Sequence, residues 1–216
     1  MNHDCFIFDL DGTLLDTLPD LVVLTNAVLR EFDMSERSTE EILSYVGNGA
    51  RALIYQAVPE NTPHPIAEQA LARWKSLYTS LGHKDTKPYP GIPQVLAELQ
   101  RRGVALGVVS NKFDAATYQV ITQHFPGVFG AIHGETPDYP RKPDPTSLLR
   151  TIDELGSTPA RSVYVGDTPD DMQTARNAGT FALAVDWGYR PIVDIQQVGY
   201  DALIGKPSQL LDFASY

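Results

Sequence analysis

Apolar runs of strand length recur along the chain and alternate with segments of helical length. The runs lie at residues 5–8, 104–109, 129–132, 162–166 and 181–185. Continuous apolar runs, rather than alternating ones, are typical of strands that are buried on both faces. Segments long enough for a helix are what connects neighbouring parallel strands. The pattern therefore predicts an α/β fold with a doubly wound parallel sheet.

The segment from 16 to 87 breaks this alternation because it carries only helical signals. Its apolar residues recur at the spacing of one helix face. They are Leu18, Leu21, Val22, Thr25, Val28, Leu29 and Phe32, and later Ile66, Ala70, Trp74, Leu77 and Leu81, ahead of Gly82. The stretch KPYPGIP at 87–93 then reads as a linker. We expect an inserted helical lobe at 16–87 and an α/β domain built from 1–15 and 88–216.

Composition and charge narrow the classes of protein that fit. The 216 residues are 43% hydrophobic, which is enough for a sizeable core, and the formal charge is -10. Nucleic acids and anionic membranes need a basic face, so neither is expected as a partner. A lone cysteine, Cys5, excludes an internal disulfide. No apolar stretch approaches the roughly 18 residues of a membrane span, and no signal peptide is visible, so the cytoplasm is the expected location. The sequence leaves the oligomeric state open.

Polar side chains follow four of the predicted strands. Because the carboxyl ends of parallel strands share one edge of the sheet, these side chains should converge. In order along the chain they are Asp9, Asp11, Gly12 and Thr13; Ser110, Asn111 and Lys112; Arg141 and Lys142; and Gly166, Asp167, Thr168, Asp170 and Asp171. Acids, hydroxyls and lysines at successive strand ends indicate a binding or catalytic site.

The charges of this set indicate its chemistry. Two carboxylates as close as Asp9 and Asp11 repel each other unless a cation lies between them. Several carboxylates without a histidine cluster suit Mg²⁺, with Asp9 and Asp167 as the expected ligands. Lysines and a hydroxyl would neutralise a phosphoryl group. Asp9 could then attack phosphorus to form an aspartyl-phosphate, while Asp11 serves as general acid and base.

Four short motifs carry a resemblance to a known family. DLDGT at 9–13, VVSNK at 108–112, RKPDP at 141–145 and VGDTPDD at 165–171 resemble the four ordered motifs of the haloacid dehalogenase (HAD) superfamily of phosphatases. The resemblance implies a Rossmann-like core and a helical cap that closes over the site. For the residues it implies Asp9 as nucleophile, Asp11 as general acid/base, Ser110 and Lys142 as phosphoryl ligands, and Mg²⁺ held by Asp9, the Asp11 carbonyl and Asp167, with Asp171 orienting the metal's shell.

Two further stretches resemble the phosphoglycolate phosphatase branch. These are VGNGARALI at 46–54 and DWGYR at 186–190. Glycines in the first stretch would let the backbone approach a ligand, and Arg51 could pair with a carboxylate. The expected substrate is thus a small phosphomonoester such as 2-phosphoglycolate. The residues expected to bind it are Gly12, Thr13, Gly47, Asn48, Gly49, Arg51, Asn111 and Lys112.

Several alternatives stay open at this point. The β-phosphoglucomutases and the nucleotide or pyrophosphate phosphatases share the core motifs and differ mainly in the cap. A response-regulator receiver also gathers acids, a hydroxyl and a lysine around Mg²⁺, although it is shorter and takes its phosphate on a later strand. The stretch around Arg51 also fits a joint between two helices with a surface arginine.

Overall fold

The computed structural model describes residues 3–81 and 83–215. The strands are β1 (Cys5–Phe8), β2 (Leu15–Asp16), β3 (Lys87–Pro88), β4 (Ala105–Phe113), β5 (Ala131–Glu135), β6 (Ser162–Gly166), β7 (Phe181–Val185) and β8 (Ala202–Ile204). The helices are α1 (Leu18–Glu31), α2 (Thr39–Tyr45), α3 (Gly49–Ala57), α4 (His64–Leu81), α5 (Ile92–Arg101), α6 (Asp114–His124), α7 (Thr146–Glu154), α8 (Pro169–Ala178) and α9 (Ile192–Val198).

Six strands form one parallel sheet in the order β5-β4-β1-β6-β7-β8. The chain winds from β1 outward in both directions, so the predicted doubly wound α/β fold is confirmed. Strand β1 lies in the middle, between β4 and β6. Its carboxyl end is therefore flanked by the carboxyl ends of the two strands that carry VVSNK and VGDTPDD, two of the three other motifs.

The central strand is buried on both faces, as its continuous apolar run predicts. Phe6 and Phe8 pack into a cluster with α5 and α6, while Cys5 and Ile7 pack into a second cluster with α7 and α8. Successive side chains of a strand point to opposite faces, which explains this division. Two layers of helices thus fix the position of β1, and this also fixes where the residues directly after Phe8 lie.

Strand ends differ from the predicted ones in two places. Strand β4 continues past the predicted run 104–109 as far as Phe113. Its register against β5 shifts between Val109 and Phe113. Ser110, Asn111 and Lys112 therefore belong to the end of β4 rather than to a loop after it. The fifth strand begins at Ala131, two residues later than expected. The polar residues of β4 still lie at the same edge of the sheet.

The four helices α1–α4 follow one another without an intervening strand of the large sheet and share a hydrophobic cluster of their own. Trp74 of α4 is buried there and donates from Nε1 to Thr25 Oγ1 at 3.1 Å. The side chain of Leu81 and all of Gly82 lie outside the described residues. No helix in the described part of the chain is long and apolar enough to cross a membrane.

The chain enters and leaves this helical segment through a two-stranded antiparallel ribbon. Leu15 pairs with Pro88, and Asp16 pairs with Lys87. The predicted boundaries at 15/16 and 87/88 fall within this ribbon. We propose that α1–α4 act as a cap domain and that the β2–β3 ribbon is its hinge.

Candidate active site

A small cavity of about 40 Å³ lies between α1–α4 and the carboxyl edge of the large sheet. The helical segment lines it with Leu21, Val46, Gly47, Gly49, Ala50, Leu53 and Trp74. The sheet side lines it with Asp9, Asp11, Ser110, Asn111, Lys112, Phe113, Lys142, Thr168, Tyr189 and Arg190. One wall is therefore largely apolar, and the opposite wall is charged.

Three buried carboxylates cluster at this edge of the sheet, and Asp9 is the one of them that lines the cavity. Oxygen atoms of Asp9, Asp167 and Asp171 lie within 4.8 Å of one another. Burial, together with the charges of Asp171 and Asp9, raises the pKa of the Asp167 carboxyl to about 8. Burial also raises the pKa of Asp9, with Lys142 opposing the rise and Asp171 and Asp11 adding to it. Like charges at this distance need a cation to stay ionised together, and an all-oxygen set suits a hard divalent ion.

Lys142 supplies part of the compensating charge. Its Nζ donates to Asp171 Oδ1 at 2.7 Å and lies 2.9 Å from Asp9 Oδ1. The second contact is not aligned as a hydrogen bond, so Asp9 Oδ1 has no hydrogen-bond partner among the described residues. Burial alone would lower the pKa of Lys142, but the carboxylates of Asp171 and Asp9 raise it well above its usual value. A buried carboxylate oxygen that has an ion pair but no hydrogen bond, beside two further acids, fits a site for Mg²⁺.

Gly12 and Thr13 lie beneath this acid cluster, and the structure does not place them on the cavity surface. Gly12 has a φ of +86°, and a Cβ there would lie 2.4 Å from Asp167 Oδ2, so only glycine fits. Thr13 is fully buried and donates from Oγ1 to Asp167 Oδ1 at 2.7 Å. Their predicted contact with substrate is therefore corrected: both residues support Asp167.

Asp11 lies in a different environment from Asp9, although only one residue separates them. Lys112 Nζ donates to both carboxylate oxygens of Asp11, at 2.8 and 3.0 Å. Thr17 Oγ1 donates to Asp11 Oδ1 at 2.6 Å. Burial would lower the pKa of Lys112, but the Asp11 carboxylate raises it above its usual value. The second aspartate is thus held in one orientation by a lysine and a hydroxyl.

Ser110 and Asn111 both line the cavity. Ser110 Oγ accepts from the Lys112 backbone N–H at 3.3 Å. The Asn111 amide is already engaged at both ends, because Oδ1 accepts from Lys142 N at 2.9 Å and Nδ2 donates to Gly47 O at 3.0 Å. Asn111 therefore joins the sheet edge to the loop between α2 and α3.

The stretch formed by the α2–α3 loop and the first turn of α3 approaches the cavity through its glycines but not through its arginine. Gly47 and Gly49 line the cavity, whereas Asn48 and Arg51 do not. The Arg51 side chain is 52% exposed and pairs with Glu68, its Nη2 lying 3.0 Å from Glu68 Oε2. It belongs to the outer surface between α3 and α4, so its predicted contact with a substrate carboxylate is wrong in this structure.

Arg190 is the cavity-lining cation that the sequence analysis missed. It ends the DWGYR stretch, which was noticed only for its resemblance and not for its charge. Another clue was available, because Arg190 follows β7, a strand of the same parallel sheet. The preceding residue, Tyr189, donates its backbone N–H to Asp167 Oδ2 at 2.8 Å. This bond ties the loop that carries Arg190 to the acid cluster.

The fold and the site define a class of protein: a doubly wound α/β protein with an acid-rich site at the sheet edge, beneath a layer of helices. Residues 6–185 match the family of haloacid dehalogenase-like hydrolases. This match spans most of the chain, and the protein belongs to that family.

Named relatives and solved structures agree with this assignment. The chain is 32% identical to a phosphoglycolate phosphatase of Aquifex aeolicus, over 95% of this chain and 93% of the relative. It is also 32% identical to an N-acetylmuramic acid 6-phosphate phosphatase of Pseudomonas aeruginosa, over 98% and 95%. A solved structure from Lactobacillus delbrueckii, itself a phosphoglycolate phosphatase by prediction only, superposes with a TM-score of 0.89 at 29% identity, covering 97% of both chains.

These similarities decide between two of the alternatives, a phosphatase and a response-regulator receiver. The relatives are phosphatases of nearly the same length as this chain, and they extend over the helical segment as well as the sheet. The protein is therefore an enzyme of the phosphatase type, and the receiver alternative is excluded.

Proposed function

We propose that the protein is a Mg²⁺-dependent phosphomonoester hydrolase that forms an aspartyl-phosphate on Asp9. The observation that carries the proposal is the buried cluster of Asp9, Asp167 and Asp171 beside the Lys142 ammonium, in which Asp9 Oδ1 has no hydrogen bond. Asp9 and Asp167 would hold the ion together with the Asp11 carbonyl, and Asp171 would orient its surroundings. When bound, Mg²⁺ would offset the negative charges of the phosphate and the carboxylates.

Residues of the chain account for each step of this reaction. The Asp9 carboxylate attacks phosphorus, and the bond from phosphorus to the ester oxygen breaks. Lys142 and the Ser110 hydroxyl neutralise the phosphoryl oxygens, and Asp11 gives its proton to the departing alkoxide. A water molecule then attacks the phosphorus of the aspartyl-phosphate while Asp11 takes a proton from it. Phosphate leaves, and both carboxyl groups return to their starting states.

The lining of the cavity favours a substrate with few hydroxyl groups. A hydroxyl-rich substrate would face the apolar side chains of the helical wall. Trp74 offers no donor there, because its Nε1 already bonds to Thr25. We therefore propose 2-phosphoglycolate, the substrate in the name of several relatives, ahead of an aminosugar phosphate, a hexose phosphate or a nucleotide. Cys5, a buried free thiol, is compatible with a reducing compartment, and the cytoplasm is the proposed location.

Phosphate release from a panel of esters tests this proposal. The panel contains 2-phosphoglycolate, N-acetylmuramic acid 6-phosphate, glucose 6-phosphate, a nucleotide and p-nitrophenyl phosphate. Turnover should stop with EDTA and return with Mg²⁺, but return poorly with Ca²⁺, which prefers a larger and looser oxygen shell. Equal rates with and without EDTA would refute the metal-dependent mechanism. A preference for a sugar phosphate would leave the mechanism intact and move the protein to another branch of the family.

A further inference from the structure

The cations that line the cavity differ in how their charges are neutralised. Lys112 pairs with Asp11, and Lys142 pairs with Asp9 and Asp171. Arg190 has no carboxylate oxygen within 4.0 Å among residues 3–81 and 83–215. Arg190 is close enough to Asp170 to influence its pKa electrostatically, but the two side chains do not form an ion pair. The cavity wall thus contains a guanidinium without a counter-ion.

Backbone carbonyls hold Arg190 in place. Nη1 donates to Leu43 O at 3.3 Å, and Nη2 donates to Ser44 O at 3.3 Å and to Val46 O. A guanidinium has five N–H donors, so these three bonds leave two donors without a partner in the described residues. The unused donors are Nε–H and one Nη1–H, which lie on different edges of the guanidinium, so a carboxylate can accept one charge-assisted hydrogen bond from it. Carbonyl dipoles orient the group but do not cancel its net charge.

The surroundings of Arg190 keep its position fixed and leave room for a ligand. Tyr189, the residue before it, is bonded to Asp167 in the acid cluster. Gly47 lies across from the guanidinium, where a Cβ would come within 3.8 Å of Arg190 Nη2. That distance is an ordinary contact, so the backbone is what favours glycine here: the φ of Gly47 is +116°, a conformation that side chains rarely adopt.

We propose that Arg190 is the specificity-determining residue that binds the carboxylate of a small phosphorylated acid. This inference rests on the proposed function, because it assigns the part of the substrate that points away from the phosphoryl group. Lys142 and Ser110 bind the phosphate, and Arg190 binds the second anion. Arg190 is then a partner for substrate, whereas Arg51, already neutralised by Glu68, is not.

A purely structural role for Arg190 makes a different prediction. If its only task were to hold the α2–α3 loop over the site, its loss would slow all substrates to the same degree. If it binds a carboxylate, the loss depends on whether the substrate carries one. The comparison therefore needs two substrates of similar length that differ in this group.

The test measures kcat/KM for 2-phosphoglycolate and for 2-hydroxyethyl phosphate in the presence of Mg²⁺. Arg190→Gln removes the charge and keeps an amide that can bond to the loop carbonyls; Arg190→Lys keeps the charge. A charge-assisted contact corresponds to about 10-fold to 150-fold in affinity. We expect Arg190→Gln to lower the ratio of the two kcat/KM values by that factor, and Arg190→Lys to lower it less.

Arg51→Ala is the matched control, since it removes an arginine that lies on the outer surface of the helical segment and not in the cavity. It should leave the ratio unchanged. An unchanged ratio in Arg190→Gln, with both substrates slowed alike, would overturn the inference and leave Arg190 as a structural contact. A lower ratio in Arg51→Ala would also overturn it. If the wild-type enzyme releases phosphate from neither ester, the proposed substrate, 2-phosphoglycolate, is wrong, and this inference falls with it. Should Arg190→Gln not fold, Arg190→Lys decides: a lower ratio of the two kcat/KM values supports the inference, and an unchanged ratio overturns it.

Discussion

Two aspartates separated by one residue receive different roles from their surroundings. Asp9 lies among acids and has one oxygen without a hydrogen bond, whereas Asp11 is held by Lys112 and Thr17. A carboxylate that is open toward a metal and a phosphorus atom suits nucleophilic attack. One that is fixed in orientation at the cavity wall suits proton transfer, and such pairs are a recurrent way to divide acid and base chemistry.

Replacing Asp11 by asparagine tests this division. The amide keeps the shape but can neither donate a proton to the ester oxygen nor take one from water. We expect Asp11→Asn to lower steady-state turnover of 2-phosphoglycolate about 100-fold to 10,000-fold, the usual contribution of a general acid/base. Asp33→Asn is the matched control, because Asp33 is an exposed carboxylate outside the cavity. Normal turnover in Asp11→Asn would remove Asp11 from the mechanism.

At the residue scale, the sequence predicted the charged wall of the cavity better than its cap side. Asp9, Asp11, Ser110, Lys112 and Lys142 all line the cavity, because consecutive strand ends must meet at one edge. The position of Arg51 could not be predicted in the same way. Spacing along α3 does not reveal that Glu68 on α4 lies within reach and draws the guanidinium outward.

One short loop after β7 connects the acid cluster to the proposed hinge. Trp187 Nε1 donates to Thr13 O at 3.1 Å, and Tyr189 N donates to Asp167. The Tyr189 hydroxyl accepts from the N–H groups of Thr17 at 2.7 Å and Leu18 at 2.9 Å, where α1 begins. A tyrosine therefore satisfies the first N–H groups of this helix in place of an ordinary capping side chain.

Removing that hydroxyl should destabilise the protein measurably. Tyr189→Phe keeps the ring but leaves the Thr17 backbone N–H without its acceptor, and the Leu18 N–H with only the longer bond to Asp16 Oδ1 at 3.3 Å. We expect the free energy of unfolding to fall by about 1 to 3 kcal/mol. Urea denaturation with Mg²⁺ absent would measure it. Tyr118→Phe serves as control, since Tyr118 is 59% exposed. Equal stability of the two variants would show that water replaces the hydroxyl at no cost.

At the scale of elements, the long apolar runs predicted strands correctly, whereas a short strand at the edge of the sheet was not predicted. The runs at 5–8, 162–166 and 181–185 became β1, β6 and β7 with the predicted bounds. Strand β8 was missed because Ala202–Ile204 has three residues at the edge of the sheet, with Leu203 partly exposed. Its pairing with β7 depends on long-range hydrogen bonds that no local pattern reveals.

Folding gathers several acids of an already acidic chain into one buried cluster. The formal charge is -10, and the Asp167 carboxyl has its pKa raised from 3.8 to about 8 by burial and by neighbouring acids. A carboxyl with a raised pKa binds its proton more tightly in the folded chain than in the unfolded one. Its contribution to stability is complete below about pH 3.8 and is lost as the pH rises to about 8.

Metal-free protein should therefore become less stable as the pH rises from 6 to 8. Mg²⁺ binds the ionised carboxylates, so its stabilising effect should be larger at pH 8 than at pH 6. At a concentration about 100 times its Kd, the ion should add about 2.7 kcal/mol, or about 5 to 10 °C in Tm. Thermal unfolding with EDTA or Mg²⁺ measures both effects. Asp167→Asn should reduce the pH dependence, and a wild-type slope retained in that variant would contradict the assignment to Asp167.

The most direct test of the account is the covalent intermediate on Asp9. Asp11→Asn is mixed with Mg²⁺ and p-nitrophenyl phosphate, whose good leaving group needs little protonation, and is quenched with acid within milliseconds. Mass spectrometry should find one phosphoryl group on the peptide that contains Asp9, sensitive to hydroxylamine, and none in a variant that also carries Asp9→Asn. A phosphoryl group on another residue, or turnover that continues in Asp9→Asn, would contradict the mechanism.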